Sequence, residues 1–105
     1  MVSWFHSFIG RTNIGSSYTQ RLDKGTTSVV LNIAEGNGCF SETDQTRFLD
    51  IAHTCAMRVG ACLDVLAARQ QVERAQIEEG KRILARVVPR VLGLRGYLKE
   101  RQSKK

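Results

Sequence analysis

The chain has 105 residues, room for one domain with one modest core, and 42% hydrophobic content with a single proline excludes a disordered protein. The net charge of +6 is uneven: residues 74–105 carry ten basic and three acidic side chains, whereas residues 1–73 carry six basic and seven acidic. That asymmetry points to polyanionic partners. No apolar run approaches the roughly 20 residues of a membrane span. The opening Met1-Val2-Ser3-Trp4-Phe5-His6-Ser7-Phe8 has neither a charged leader nor a small-residue cleavage site, so neither a signal peptide nor a membrane partner is expected.

Residues 1–17 form a short N-terminal segment. Trp4, Phe5, Phe8 and Ile9 have helical spacing over barely two turns, and Gly10 and Gly15 punctuate the segment. It reads either as a short first helix or as an exposed aromatic stretch that docks on another subunit or protein. A helix is then predicted over 18–35, because Tyr18, Leu22, Gly25, Val29 and Ile33 repeat at a 3.6-residue period. Thr26 and Thr27 lower its intrinsic propensity, so packing must hold it. Gly36 is expected to close it in the left-handed conformation, with a tight turn at Asn37-Gly38. Ser41, with Asp44 three residues on and Glu42 in the first turn, reads as the cap of the next helix.

That next helix is predicted over 42–71. Phe48, Ile51, Cys55, Val59, Cys62 and Leu66 form its apolar stripe, and Leu49, Ala52, Ala56 and Leu63 widen it. So wide a stripe implies neighbours on more than one side, as in a bundle that also oligomerises. Gln70-Gln71-Val72-Glu73 is a short link that makes the helix after it an antiparallel neighbour. The last helix is predicted over 74–99, with Ile77, Leu84, Val87, Val88, Val91, Leu94 and Leu98 facing inward. Pro89 removes the hydrogen bond to the Ala85 carbonyl and should kink that helix, since the periodicity resumes beyond it. Residues 100–105 form a basic tail expected to fray.

Few constellations suggest chemistry. Cys39, Cys55 and Cys62 are odd in number and show no Cys-x-x-Cys spacing. Cys55 and Cys62, seven apart, read as small core residues rather than metal ligands, and no metal or cofactor is expected. Free thiols suit a reducing, cytoplasmic setting. Asn32 and Glu35 share one helical face. They form either a polar site inside the bundle or at a subunit seam, or structural hydrogen bonds to neighbouring helix ends. Arg47 can pair with Asp50 at i, i+3. No second carboxylate, histidine pair or nucleophile stands where catalysis needs it, so no catalytic residue is assigned. Arg82, Arg86 and Arg90, at i, i+4 and i+8, make a basic ridge along the last helix, and Lys81, Arg95 and Lys99 make a second. Glu78 is placed to pair with Arg82. These six are the candidate nucleic-acid contacts, giving affinity through phosphates without sequence specificity.

The string Asn32-Ile33-Ala34-Glu35-Gly36-Asn37-Gly38, with Arg47-Phe48-Leu49-Asp50-Ile51-Ala52 and the ending Val91-Leu92-Gly93-Leu94-Arg95-Gly96-Tyr97-Leu98-Lys99, resembles a bacterial four-helix-bundle family. That family was first noticed in open reading frames within intervening sequences of large-subunit ribosomal RNA genes. It is distantly related to the accessory variability proteins of diversity-generating retroelements. The resemblance implies an antiparallel bundle, assembling as a ring-like homopentamer, without established enzymatic activity. Relatives usually open with a full-length helix, so residues 1–17 would be a truncated or replaced one. Departures from the family pattern include Val30, usually proline, Cys39, usually basic, His53-Thr54-Cys55, usually Arg-Gly-Ser, and Arg58, where a glutamate is expected. The combined expectation is an all-α antiparallel bundle over 18–99 that self-associates and is not an enzyme. It would bind RNA or DNA through its last helix as an accessory to a nucleic-acid machine, or alternatively serve as a scaffolding subunit on a larger protein.

Overall fold

The computed structural model describes residues 1–103. Four α-helices succeed one another: α1 (Val2–Arg11), α2 (Ser16–Asn37), α3 (Glu42–Ala68) and α4 (Arg74–Ser103). The last three lie side by side in a rod of 50 × 19 × 19 Å. α3 is the middle member, packed along α2 on one side and α4 on the other, and α1 lies against α2. The expected all-α bundle of three long helices and a short first one is the observed fold.

The core side of α3 differs from the expected stripe. Leu49, Ala52, Ala56, Val59, Leu63 and Leu66 are buried, whereas Phe48, Cys55 and Cys62 are half-buried and Ile51 is exposed. The residues expected only to widen the stripe are its centre, because α2 and α4 both press on that side. Among the described residues α3 is the one helix long and apolar enough, by length and composition only, to span a membrane, a property that the central helix of a bundle shares. Its apolar residues are interrupted by polar ones such as His53, Thr54, Arg58 and Asp64, so no continuous run shows in the sequence. In the bundle, Leu49, Ala52, Ala56, Val59, Leu63 and Leu66 are the apolar residues that the neighbouring helices pack on.

Gly36 also behaves differently. It is helical and buried, α2 continues to Asn37, and Gly38 caps the helix with φ −84°, its N–H reaching the carbonyls of Ala34 and Glu35 while the Cys39 N–H bonds the Gly36 carbonyl. The only glycine with positive φ among the described residues is Gly15, at 85°, where the chain turns from α1 into α2. Gly36 serves the approach of the helices instead: a Cβ there would lie 3.3 Å from Phe48 Cβ. Gly25 repeats the device against Val59, whose Cγ2 would be 2.5 Å from an added Cβ. Eleven residues separate the two glycines on α2 and eleven separate their partners on α3, so one antiparallel register satisfies both contacts. The hairpin between them is fastened by Gln45 Nε2 donating to the Cys39 carbonyl at 2.9 Å and by the expected Ser41 cap, whose hydroxyl accepts from Asp44 N–H.

α3 ends three residues earlier than its apolar pattern suggests. Gln70 takes the left-handed conformation, φ 60°, and the N–H groups of Gln70 and Gln71 bond the carbonyls of Ala67 and Leu66. This is the double-bonded stop usually made by glycine. Three ion pairs then set α4 along α3: Glu42 with Arg101 at 3.2 Å, Asp50 with Arg95, and Asp64 with Lys81 at 2.7 Å. As the acids ascend α3 the bases descend α4, as antiparallel neighbours require. α4 runs unbroken through Pro89. Residues 100–103 continue this helix rather than fraying, and the expectation for Lys104 and Lys105 falls outside the described residues.

α1 is a folded part of the core, which removes the reading of residues 1–17 as a free aromatic segment. Phe5 and Phe8 are fully buried, a gain of about 1.5–3 kcal/mol each. Trp4 stands edge-on to Phe5 and stacks on Phe8, with ring centroids 4.8 and 5.0 Å apart. Its outer edge lies over Gly80 of α4.

Candidate functional site

Helical spacing sets Arg82, Arg86 and Arg90 along one exposed ridge of α4, as expected. Their acid partner is Glu79 rather than Glu78: Arg82 meets it at 2.9 Å and Arg86 at 3.7 Å. All these side chains remain largely in solvent, where such pairs are worth about 0–1 kcal/mol, so both guanidinium groups are available to a competing phosphate. Arg90 is exposed and makes no ion pair among the described residues. The second ridge divides. Lys99 is exposed, whereas Lys81 and Arg95 are engaged with Asp64 and Asp50 of α3. The consequence is that part of the positive charge of α4 is committed to holding α4 in register.

Asn32 is half-buried and turns back on its own helix, Nδ2 donating to the Ser28 carbonyl at 2.7 Å. Glu35 is exposed, and its carboxylate makes no ion pair among the described residues. Neither bonds the end of a neighbouring helix within one chain. Arg47 pairs with Asp44 at 3.7 Å, not with Asp50, which Arg95 takes. His53 is half-buried, and no group of three His, Cys, Asp or Glu able to hold a metal gathers among the described residues.

A feature that the charge tally along the chain missed lies on the opposite side of α3 from α4. The outer seam of α2 and α3 opens into a groove of about 660 Å³. Gly25, Val59, Ala61, Cys62 and Val65 form an apolar floor, and Tyr18, Arg21, Lys24 and Arg58 stand around it. None of these three cations has an ion-pair partner among the described residues, and no carboxylate lines the groove. Burial pushes the Cys62 thiol above its ordinary pKa, and the charge of Arg21 pulls it back in part. Cys55 and Cys62 are therefore groove residues as much as core residues. The signal was present in the sequence as Arg21 and Lys24 at i, i+3, but Arg58 joins them only through the antiparallel register of α2 and α3.

No family model, curated protein or solved structure matches the chain.

Proposed function

We propose that this chain is a non-enzymatic helical-bundle protein that self-associates and binds the phosphate backbone of RNA or DNA through α4. The observation that carries this reading is the ridge of Arg82, Arg86 and Arg90, three exposed guanidinium groups on one face with Glu79 as their one carboxylate. Lys99 extends the positive surface toward the end of the helix. Phosphate contacts of this kind give sequence-independent affinity, and repetition of the ridge in an assembly multiplies a weak contact into a useful one. Self-association is supported by the apolar side chains that one chain leaves in water, among them Phe40, Leu31, Met57 and Leu94. The resemblance of residues 32–38, 47–52 and 91–99 to the ribosomal intervening-sequence proteins supports a ring of five, and the three free thiols support a reducing, cytoplasmic setting.

Binding of a structured RNA and a DNA duplex, measured across salt concentrations, tests the reading. Replacing Arg82, Arg86 and Arg90 by glutamine should weaken binding about equally for every sequence and make log affinity less steep against log salt, by roughly two to three contacts. Helix content should persist, since glutamine is nearly as good a helix former. A variant with an unchanged slope would leave the ridge a solvated face and favour the scaffolding alternative. A monomeric mass by light scattering at micromolar concentration would remove the assembly part.

A further inference from the structure

The α2–α3 groove has no place in the nucleic-acid reading, which rests on the far side of α3. Cations stand on both of its rims: Arg21 and Lys24 on α2, Arg58 on α3. Gly25 of α2 packs on Val59 of α3, so the same register sets Lys24 and Arg58 at nearly one level, like charges across a seam with no acid between them. Left empty, that arrangement is electrostatically unfavourable, and a ligand that brings negative charge to both rims relieves it. Between the rims the floor is apolar, which suits a hydrocarbon surface better than a phosphodiester chain. Tyr18 is the one ring on the lining against which a base could stack.

The groove's dimensions choose among anionic ligands. Its α2 wall runs from Tyr18 to Ser28 and its α3 wall from Cys55 to Val65, each about 15 Å at the rise of a helix. A single-headed amphiphile would need its cations gathered at one end, but here they flank the middle. An amphipathic helix of three turns matches on each count: an apolar stripe for the floor and carboxylates on both shoulders for the two rims.

We infer that the α2–α3 groove is a docking site for an acidic amphipathic helix of a partner protein, its apolar stripe on Val59, Cys62 and Val65 and its carboxylates on Arg21, Lys24 and Arg58. Binding here is independent of the α4 ridge, so one chain can hold a nucleic acid and a protein on opposite sides.

The probe is a fluorescein-labelled, end-capped helical peptide of about 18 residues, with leucines at i, i+3, i+4 and i+7 and glutamates on both flanks. One control carries lysine at every glutamate, and another keeps the composition but scatters the leucines round the helix. Anisotropy with the full-length protein should show the acidic amphipathic peptide binding about tenfold or more tightly than either control. Two triple variants each remove three positive charges. R21Q/K24Q/R58Q should lose the peptide about tenfold, whereas R82Q/R86Q/R90Q should keep it within about twofold. The bound peptide should also slow alkylation of Cys55 and Cys62 and leave Cys39, on the hairpin, unchanged. Equal loss in both variants would show attraction to net charge alone and overturn the inference. Equal binding of the scattered-leucine peptide, unprotected Cys55 and Cys62, or no binding of the acidic peptide at millimolar concentration would do the same. Should R21Q/K24Q/R58Q unfold, Arg58→Glu provides the parallel test, with the lysine peptide expected to regain what the acidic one loses.

Discussion

Gly36 of α2 and Phe48 of α3 meet so closely that a Cβ on the glycine would lie 3.3 Å from Phe48 Cβ and 3.5 Å from the Gln45 carbonyl oxygen. Because Gly36 is helical, the cost of replacing it arises from space and not from backbone conformation. Gly36→Ala should therefore change stability by less than about 1 kcal/mol, gained helix propensity offsetting the tight contact. Gly36→Val should cost about 1–3 kcal/mol, since its branched methyls must displace Phe48. Chemical denaturation of both variants checks this. An alanine variant as damaged as the valine one would point back to a left-handed cap.

Trp4 and Gly80 make the analogous contact between the first and last helices. A Cβ on Gly80 would fall 2.5 Å from Trp4 Cζ3 and 3.2 Å from Leu63 Cδ1. Gly80→Ala is expected to destabilise by about 1–3 kcal/mol despite alanine's better helix propensity. In a Trp4→Ala background the same change should cost less, because the indole that obstructs the methyl is gone. A double-mutant cycle with a coupling below about 0.5 kcal/mol would mean that α1 does not sit on α4.

Gln70 occupies a backbone region where a side chain costs roughly 1–2 kcal/mol. Glycine is free of that cost but loses more chain entropy on folding. Gln70→Gly should therefore raise stability by up to about 1 kcal/mol, seen as a higher denaturation midpoint with an unchanged slope. Gln70→Val should lower it, as a β-branched residue fits that region worst.

The three long helices were legible because each carries a 3.6-residue repeat over more than four turns, and Ser41 announced the start of α3 by its chemistry alone. Much of the rest depends on pairs distant in sequence. Glu42, Asp50 and Asp64 look like ordinary surface acids until α4 is laid antiparallel and Arg101, Arg95 and Lys81 fall opposite. Which half of the α3 stripe is core could not be read from α3, since two neighbours decide it. α1 was ambiguous because two turns of periodicity cannot distinguish a helix that folds inward from one that waits for a partner. Gly36 was misplaced because glycine near the end of an apolar run serves equally as a stop or as a contact point. The candidate ridge was visible as spacing, but the groove cations were not, being divided between two helices whose register is a property of the fold.

The place of Trp4 on Gly80 also has a consequence in time. The chain emerges from the ribosome N-terminus first, and the contact spans 76 residues of sequence. At about 5–20 residues per second, Trp4 precedes its α4 partner by roughly 4–15 s. Phe5 and Phe8 can begin to settle once α2 and α3 have paired, but their cover is incomplete until the first turns of α4 arrive. For that interval the newborn chain displays its most aromatic stretch, the segment most attractive to a chaperone or to another nascent copy.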